Sequence, residues 1–328
     1  MYGGVETLMT QGVYVHQDCT LQSDPSGAPG WVLNFEGFPS NNTVPFRFVL
    51  PNGAVSTVGL GFRWWFQSLP GTRPYERCIA IRDINNNNIA IIYSETTGQL
   101  TVDVIDQGVF TTPAPVITAN GWYHIEWKFE RKGTNLLDFE VRVEGVPVLV
   151  QTDVPFTGLS PAQIAGETAS ALPLLFKDFV IWDGGGTQNN DFLGSVVIST
   201  LTLTGDVQLN WTPSAGTTGY EILDNIPPVD TSYISADYDP IPGPYVATLS
   251  DLPPETTEVK AIVSYVRAAK TDGGDGNLQV GLISDPDGTP ATVTGSNRPI
   301  TVAQTYYRDV FELDPKTGAP WLPGSVNN

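Results

Sequence analysis

The chain has 328 residues, 41 % hydrophobic and only 16 % charged, with 33 glycines, 27 prolines and a formal net charge of −19. That length predicts two domains, and low charge with many turn-formers predicts short strands joined by frequent turns. So acidic a surface repels phosphate backbones and anionic lipid, which argues against nucleic acid and membrane as partners.

The opening MYGGVETLMTQGVYVHQD carries neither a basic stretch nor an apolar core and does not read as a secretory signal. No later run reaches membrane-spanning length. Cys19 and Cys78 read as small buried residues of a reducing compartment, with a disulfide as the weaker alternative. His16 and His124 are the only histidines, so a Cys/His zinc cluster is not expected. Asn41 and Asn210 open Asn-x-Thr triplets, which without a signal peptide read as coincidence.

From Val55 to Phe66 the sequence VSTVGLGFRWWF alternates large apolar with small residues and predicts a strand. CIAIRD from Cys78 and IAIIYS from Ile89 flank the Asn85–Asn88 run as a hairpin. Leu100, Val102 and Val104 then share a strand face. WYHIEWKFER over 122–131 puts Tyr123, Ile125, Trp127 and Phe129 inside, and His124, Glu126, Lys128 and Glu130 on a solvated charged face. Asp138–Val148 repeats that pattern and would pair with it. Segment 155–171 reads as irregular with one helical turn. Strands resume over 172–182, and Val196–Leu203 reads as a closing strand. Near residue 205 the composition turns rich in Pro, Gly, Thr and Asp, which marks a domain boundary. Beyond it, 258–270 and 276–284 are long strands, with shorter ones at 245–250, 290–295 and 301–312.

Catalysis on such a scaffold would need paired carboxylates across a sugar. Glu140-x-Arg142-x-Glu144 and Glu126-x-Lys128-x-Glu130 each hold a cation where a carboxylate is wanted, which opposes a general acid. No nucleophile or nucleotide motif is present. The expectation is therefore a protein that is not an enzyme and needs no organic cofactor. Calcium is the candidate ion. Asp183, Asn189 and Asp191 in DGGGTQNND could supply oxygens, or form Asx-turns. Asp83, Asn85 and Asn87 are a weaker set, best read as a polar hairpin turn, and Asp272 with Asp275 weaker still. Trp64, Trp65 and Trp182 are candidate interface or sugar-stacking rings, and Trp211 by type alone. Trp64 and Trp65 are adjacent on a strand, so they point to opposite faces.

The segments GWYHIEWKFE, LLDFEVRVEGVPVL and FKDFVIWDGGGTQNNDFLG resemble the laminin-G/concanavalin-A-like jelly roll. The longer ordered set resembles a family of tailed-bacteriophage virion proteins. It comprises TVGLGFRWWF, DFVIWDGGGTQNNDFLGSV, GDVQLNWTPSAGTTGYEILD, PPVDTSYISA, VRAAKTDGGDGNLQVGLIS and RPITVAQTYYRDVFELDPKTGAPW, and it spans essentially the whole chain. The resemblance implies an all-β protein with a concanavalin-A-like jelly-roll β-sandwich over 1–204 and a smaller antiparallel β-sandwich over 205–328. It further implies a virion component made in the bacterial cytoplasm. Capsid decoration or another head or tail role leads, a glycan-binding appendage is the alternative, and a depolymerase comes third. The implied partners are copies of itself, with a trimer matching capsid threefold positions, the major capsid or other virion proteins, and glycan.

Overall fold

Alternation decides the N-terminal half. Where large apolar residues occupy every second position, one sheet face is fixed toward a core and register is set with it. The computed structural model describes residues 2–3, 14–15, 19–23, 25–26, 31–35, 46–50, 54–66, 75–166, 174–185, 187–216, 218–225, 229–237, 243–284 and 288–327. His16, Asn41 and the side chains of Cys19 and Cys78 lie outside the described residues.

The chain divides into two units, 1–198 and 199–328. Unit 1 holds β1 (Tyr2–Gly3), β2 (Tyr14–Val15), β3 (Cys19–Ser23), β4 (Trp31–Phe35), β5 (Phe46–Val49), β6 (Thr57–Phe66), β7 (Tyr75–Arg82), β8 (Asn88–Glu95), β9 (Leu100–Val104), β10 (Gly108–Thr111), β11 (Gly121–Lys132), β12 (Leu136–Val143), β13 (Val146–Pro155), β14 (Gln163–Gly166) and β15 (Leu174–Asp183). One sheet runs β13-β12-β11-β6-β15-β4-β3, with β1 on β15. The other runs β10-β9-β8-β7-β14-β5-β2. Their facing sides bury Phe62, Trp64, Trp127, Phe129, Ile79, Ile81, Ile92 and Leu100 in one cluster. Aromatic rings pack within it: Phe62 stacks on Phe179 at 5.5 Å and meets Phe176 edge-on. This is the expected all-β jelly roll.

Three local readings are corrected. The stretch 138–148 is two strands, because Glu144 and Gly145 both adopt left-handed φ (50° and 77°) and close a tight turn between β12 and β13. Residues 163–166, expected to be irregular, form β14 between β7 and β5, with all four residues buried. Residues 196–202 form no strand; they run on from a segment laid over the outer face of the first sheet.

Strand β13 ends that sheet and is interrupted by two register shifts. Strand β15 also bulges between Lys177 and Val180, where Asp178 takes φ 53°. Asp tolerates that conformation better than most residues, and the extra residue redirects its side chain.

Unit 2 is antiparallel throughout and built of two-stranded ladders. They pair β16 (Leu203–Gln208) with β19 (Val246–Leu249), β17 (Thr212–Pro213) with β18 (Ile234–Ser235), and β20 (Ile262–Ala268) with β25 (Thr305–Phe311). The remaining two pair β21 (Asn277–Leu278) with β24 (Arg298–Pro299), and β22 (Gly281–Ser284) with β23 (Ala291–Thr294). Two single turns, α1 (Tyr220–Leu223) and α2 (Pro323–Val326), are its helices among the described residues. Val259, Phe311 and Trp321 form its core, and the Trp321 indole donates to the Phe311 carbonyl at 2.9 Å. Asp206 holds the approach to α1 by accepting the Gly219 and Tyr220 amides and the Tyr245 hydroxyl. Among the described residues no helix is long and apolar enough to cross a membrane.

Trp64 is fully buried whereas Trp65 is half-buried on the opposite face. Trp64→Ala is expected to cost roughly 3–5 kcal/mol in urea unfolding followed by tryptophan fluorescence. Trp65→Ala should cost less than half of that.

Candidate functional site

The outer face of the first sheet is read row by row from its register. Trp122 sits opposite Trp65, His124 opposite Arg63, Glu126 opposite Gly61 and Lys128 opposite Gly59. On the far side of β6, Lys177 faces Arg63, Val180 faces Gly61 and Trp182 faces Gly59. On the far side of β11, Arg142 faces Glu126 and Glu140 faces Lys128. Polar chemistry thus lines about 20 Å of strand, at 3.3 Å per residue from Trp122 to Lys128, with tryptophan at each end.

The two glycines of β6 explain how the Trp182 end is filled. A Cβ on Gly59 would fall inside the Trp182 indole, so that ring lies flat on bare backbone. A Cβ on Gly61 would meet the His124 Nε2 at 3.4 Å and Trp182 at 3.8 Å, ordinary contact.

Residues 187–198 run over this end as a strap. Leu193 buries against Val180 and Trp182, joined by Phe192, Val196 and Ile198. Glu126 Oε1 accepts the Leu193 and Gly194 amides at 2.7 and 3.0 Å. Asp178 Oδ1, turned outward by the bulge, accepts the Ile198 amide at 3.0 Å. Arg63 donates to the Ser195 hydroxyl at 2.9 Å and pairs with Asp178 at 3.4 Å. Lys128 pairs with Asp191 at 3.0 Å, and the Arg142 guanidinium stacks 3.7 Å from the Phe192 ring centre.

The expected solvated face is therefore covered at this end: His124 and Glu126 are each 1 % exposed. Burial, and secondarily the Arg63 charge, pushes His124 down to about 4, so its imidazole is neutral at neutral pH. Burial also raises Glu126, against the two strap amides and Arg142, which favour its ionised form. His124 Nδ1, Glu126 Oε2 and Trp182 Nε1 are buried without a hydrogen-bond partner among the described residues.

The other end of the face carries two tryptophans. Trp65 and Trp122 lie side by side, ring centres 5.6 Å apart, both half-buried, and the Lys177 ammonium stands 4.4 Å over the Trp122 ring. Of the expected aromatic candidates, Trp64 lies in the core, Trp65 on this outer face and Trp182 beneath the strap. Trp122, His124, Glu126, Arg63 and Asp178 complete the face. Alternation places His124 and Glu126 with Lys128 and Glu130 on an outward face, and the signal for a bulky cover is the pair of small residues Gly59 and Gly61.

The expected calcium ligands lie in local hydrogen-bonded turns and ion pairs. Asp191 holds Lys128 and the Phe192 amide, and Asp183 accepts the Gly185 amide in an Asx-turn. Asp83 binds the Asn87 amide and side chain within the β7–β8 hairpin, while Asn85 is exposed at its tip. Asp272 accepts the Gly274 amide in another such turn. Among the described residues no three His, Cys, Asp or Glu side chains are grouped as a metal site.

No protein-family model matches the chain, and no curated protein does. Solved structures similar in fold do exist. An endo-β-1,4-glucuronan lyase from Trichoderma reesei is 13 % identical, with 55 % of this chain and 94 % of that one covered and a TM-score of 0.40. The family 7 polysaccharide lyase AlgAT5, an alginate lyase, is 13 % identical over 51 % and 83 %, TM-score 0.37. A sialidase is 11 % identical over 55 % of this chain, TM-score 0.38, and only 17 % of the sialidase's length is spanned. The jelly-roll half of the resemblance stands; the virion half rests on the quoted segments alone. The expectation of a non-enzyme does not stand: the similar solved structures include two polysaccharide lyases and a sialidase.

Two outcomes follow from the covered end. Gly59→Val forces the Trp182 ring off its seat and is expected to cost at least ~1–3 kcal/mol, while Gly61→Ala is tolerated, both read by urea unfolding. For His124 the folded pKa lies below the unfolded 6.5, so the unfolded chain takes up the proton first and stability falls as pH drops from about 6.5 to 4. The full loss is on the order of 3 kcal/mol. Raised Glu126 works in the opposite sense, its penalty appearing as it ionises with rising pH. His124→Gln should flatten the unfolding midpoint between pH 6.5 and 4; an unchanged slope counts against a buried neutral imidazole.

Proposed function

We propose that unit 1 is a carbohydrate-recognition jelly roll carried by a virion-type protein, and that it holds polysaccharide on the outer face of its first sheet. The observation that carries this reading is the half-buried Trp65–Trp122 pair with Lys177 over it. The two ring planes are tilted by 59°, and aromatic surface bordered by hydrogen-bonding and charged groups suits a sugar ring that is apolar on its C–H face and hydroxylated at its rim. The neighbouring Arg63 lies one row away on the same face.

A second reading, a subunit of a virion lattice, is supported by the ordered resemblance along the whole chain and by one surface of unit 2. There Tyr265 stacks on Tyr306 at 5.0 Å and Arg267 stands 5.2 Å over Tyr306, a composition typical of protein interfaces.

Titration calorimetry against purified capsular and cell-wall polysaccharides tests the first reading. Trp65→Ala and Trp122→Ala should each weaken binding about tenfold, equivalent to ~1.4 kcal/mol. Saturable binding that neither substitution alters would overturn the site, and no binding would overturn the reading. The same samples, assayed for new chain ends, tell binding from turnover. Copy number in purified phage particles tests the second reading. Hundreds of copies per particle support a lattice subunit, a handful supports an appendage, and absence sinks the virion assignment.

A further inference from the structure

Apolar burial is divided unevenly between the two units. Among the described residues unit 1 buries 39 hydrophobic side chains and exposes eight large ones. Unit 2 buries four, Val259, Tyr307, Phe311 and Trp321, and exposes nine. Val207, Val302 and Leu322 are 65, 64 and 68 % exposed. A single exposed valine or leucine is ordinary on any protein. A unit of this length normally buries about two-thirds of the surface of its unfolded chain, and exposed apolar side chains that outnumber buried ones run against that. The backbone has the same shortfall. Among the described residues every sheet of unit 2 is two-stranded. Such a ladder is marginal in water without a third strand or a packed face.

The β20–β25 ladder concentrates the imbalance. Its register puts Ile262, Ser264 and Val266 on one face with Tyr307, Asp309 and Phe311, and those last three are buried. Val263, Tyr265 and Arg267 share the other face with Tyr306, Arg308 and Val310. All six are at least partly exposed. The outer face of an antiparallel sheet is ordinarily polar when water covers it. This one is valine, tyrosine and arginine. Tyr265 stacks on Tyr306, Arg267 stands over the Tyr306 ring, and Asp230 pairs with Arg267 at its margin. Tyrosine and arginine are enriched at protein interfaces, where aspartate and glutamate are depleted. The six positions hold no carboxylate, in a unit with 16 acidic residues against six basic ones.

One condition narrows the occupant. A shortfall in the unit's own core has to be made good in every folded chain, because a partner met only at intervals would leave unit 2 unfolded between meetings. Copies of the chain are present wherever the chain is made. A face with two arginines and no carboxylate also matches the acidic surface that another copy offers.

We propose that unit 2 is an obligate association module, which folds only as copies of this chain join through the outer face of β20–β25, whereas unit 1 folds by itself. Unit 1 needs no such help, since its two sheets bury each other's facing sides. The contact is made by side chains, with the two tyrosines and two valines at its centre and the arginines at its rim. This goes beyond both readings above: it names the partner of the tyrosine–arginine surface and requires neither saccharide nor virion.

Light scattering and pulsed hydrogen exchange on the full chain test it. The mass in solution should be that of two or more chains. In urea, protection of β20 and β25 should be lost at a midpoint that rises by at least ~1 M when protein concentration rises a hundredfold, while the midpoint of β6 and β11 stays fixed. Tyr306→Asp should reduce the mass to one chain and strip protection from β20 and β25 together, leaving β6 and β11 protected. Tyr306→Phe should preserve the assembly, and so should Val150→Asp on unit 1. A single-chain mass overturns the proposal, whether β20 and β25 are protected or not. So does a unit 2 midpoint independent of concentration, and a Tyr306→Asp chain that keeps the parent mass overturns the assigned face. Association in solution supports the proposal even where the chain is absent from purified particles, so this inference and the virion reading fail separately.

Discussion

The Trp182 indole resting on the bare backbone of Gly59 is the contact on which the outer face depends. With any larger residue at 59 the ring has no seat, Leu193 and Phe192 lose the surface they pack on, and the strap amides no longer reach Glu126 and Asp178. The bulge in β15 is the matching constraint on the carboxylate side. It spends one extra residue to keep Phe176 and Phe179 in the core while turning Asp178 outward, where an uninterrupted strand would have alternated differently.

Electrostatics at this face run against the character of the chain. A protein of net charge −19 places Arg63, Lys128, Arg142 and Lys177 together on one strip and interleaves them with Glu126, Glu140 and Asp178. Burial pushes His124 and Glu126 both toward their neutral forms. The strap therefore covers groups that resist charging, and leaves the formal charges at its margins, where water and counter-charges share them.

Much of the sandwich was legible because periodicity assigns residues to faces. Ile125, Trp127 and Phe129 are in the core where alternation put them, and the hairpin around Asn85–Asn88 joins β7 to β8. Periodicity does not say what covers a face, so His124 and Glu126 read as solvated. Segment 196–203 read as a strand because Val, Ile and Thr favour extended backbone. Its own Ile198 amide and the Leu193 and Gly194 amides just before it are instead claimed by two carboxylates distant in sequence, which no local pattern encodes. Strand β14 was missed for the opposite reason: Gln-Ile-Ala-Gly is short, small and without alternation, and its strand state comes from the slot between β5 and β7. The turn at Glu144–Gly145 was hidden because an acidic residue fits the outward rhythm and a turn equally well.

Strand β13 carries a consequence for crowding. A ten-residue strand at the end of a sheet, with Val146 and Val150 exposed, is the kind of border along which identical chains zip together. Here Pro147 and Pro155 each lack an amide proton, and two register shifts break the regular spacing of the remaining hydrogen-bonding groups. A neighbouring copy cannot extend the sheet in register along that border. Chains held at high local density on a shared surface are thus steered toward side-chain contacts between faces, and away from the backbone-to-backbone stacking that ends in fibres.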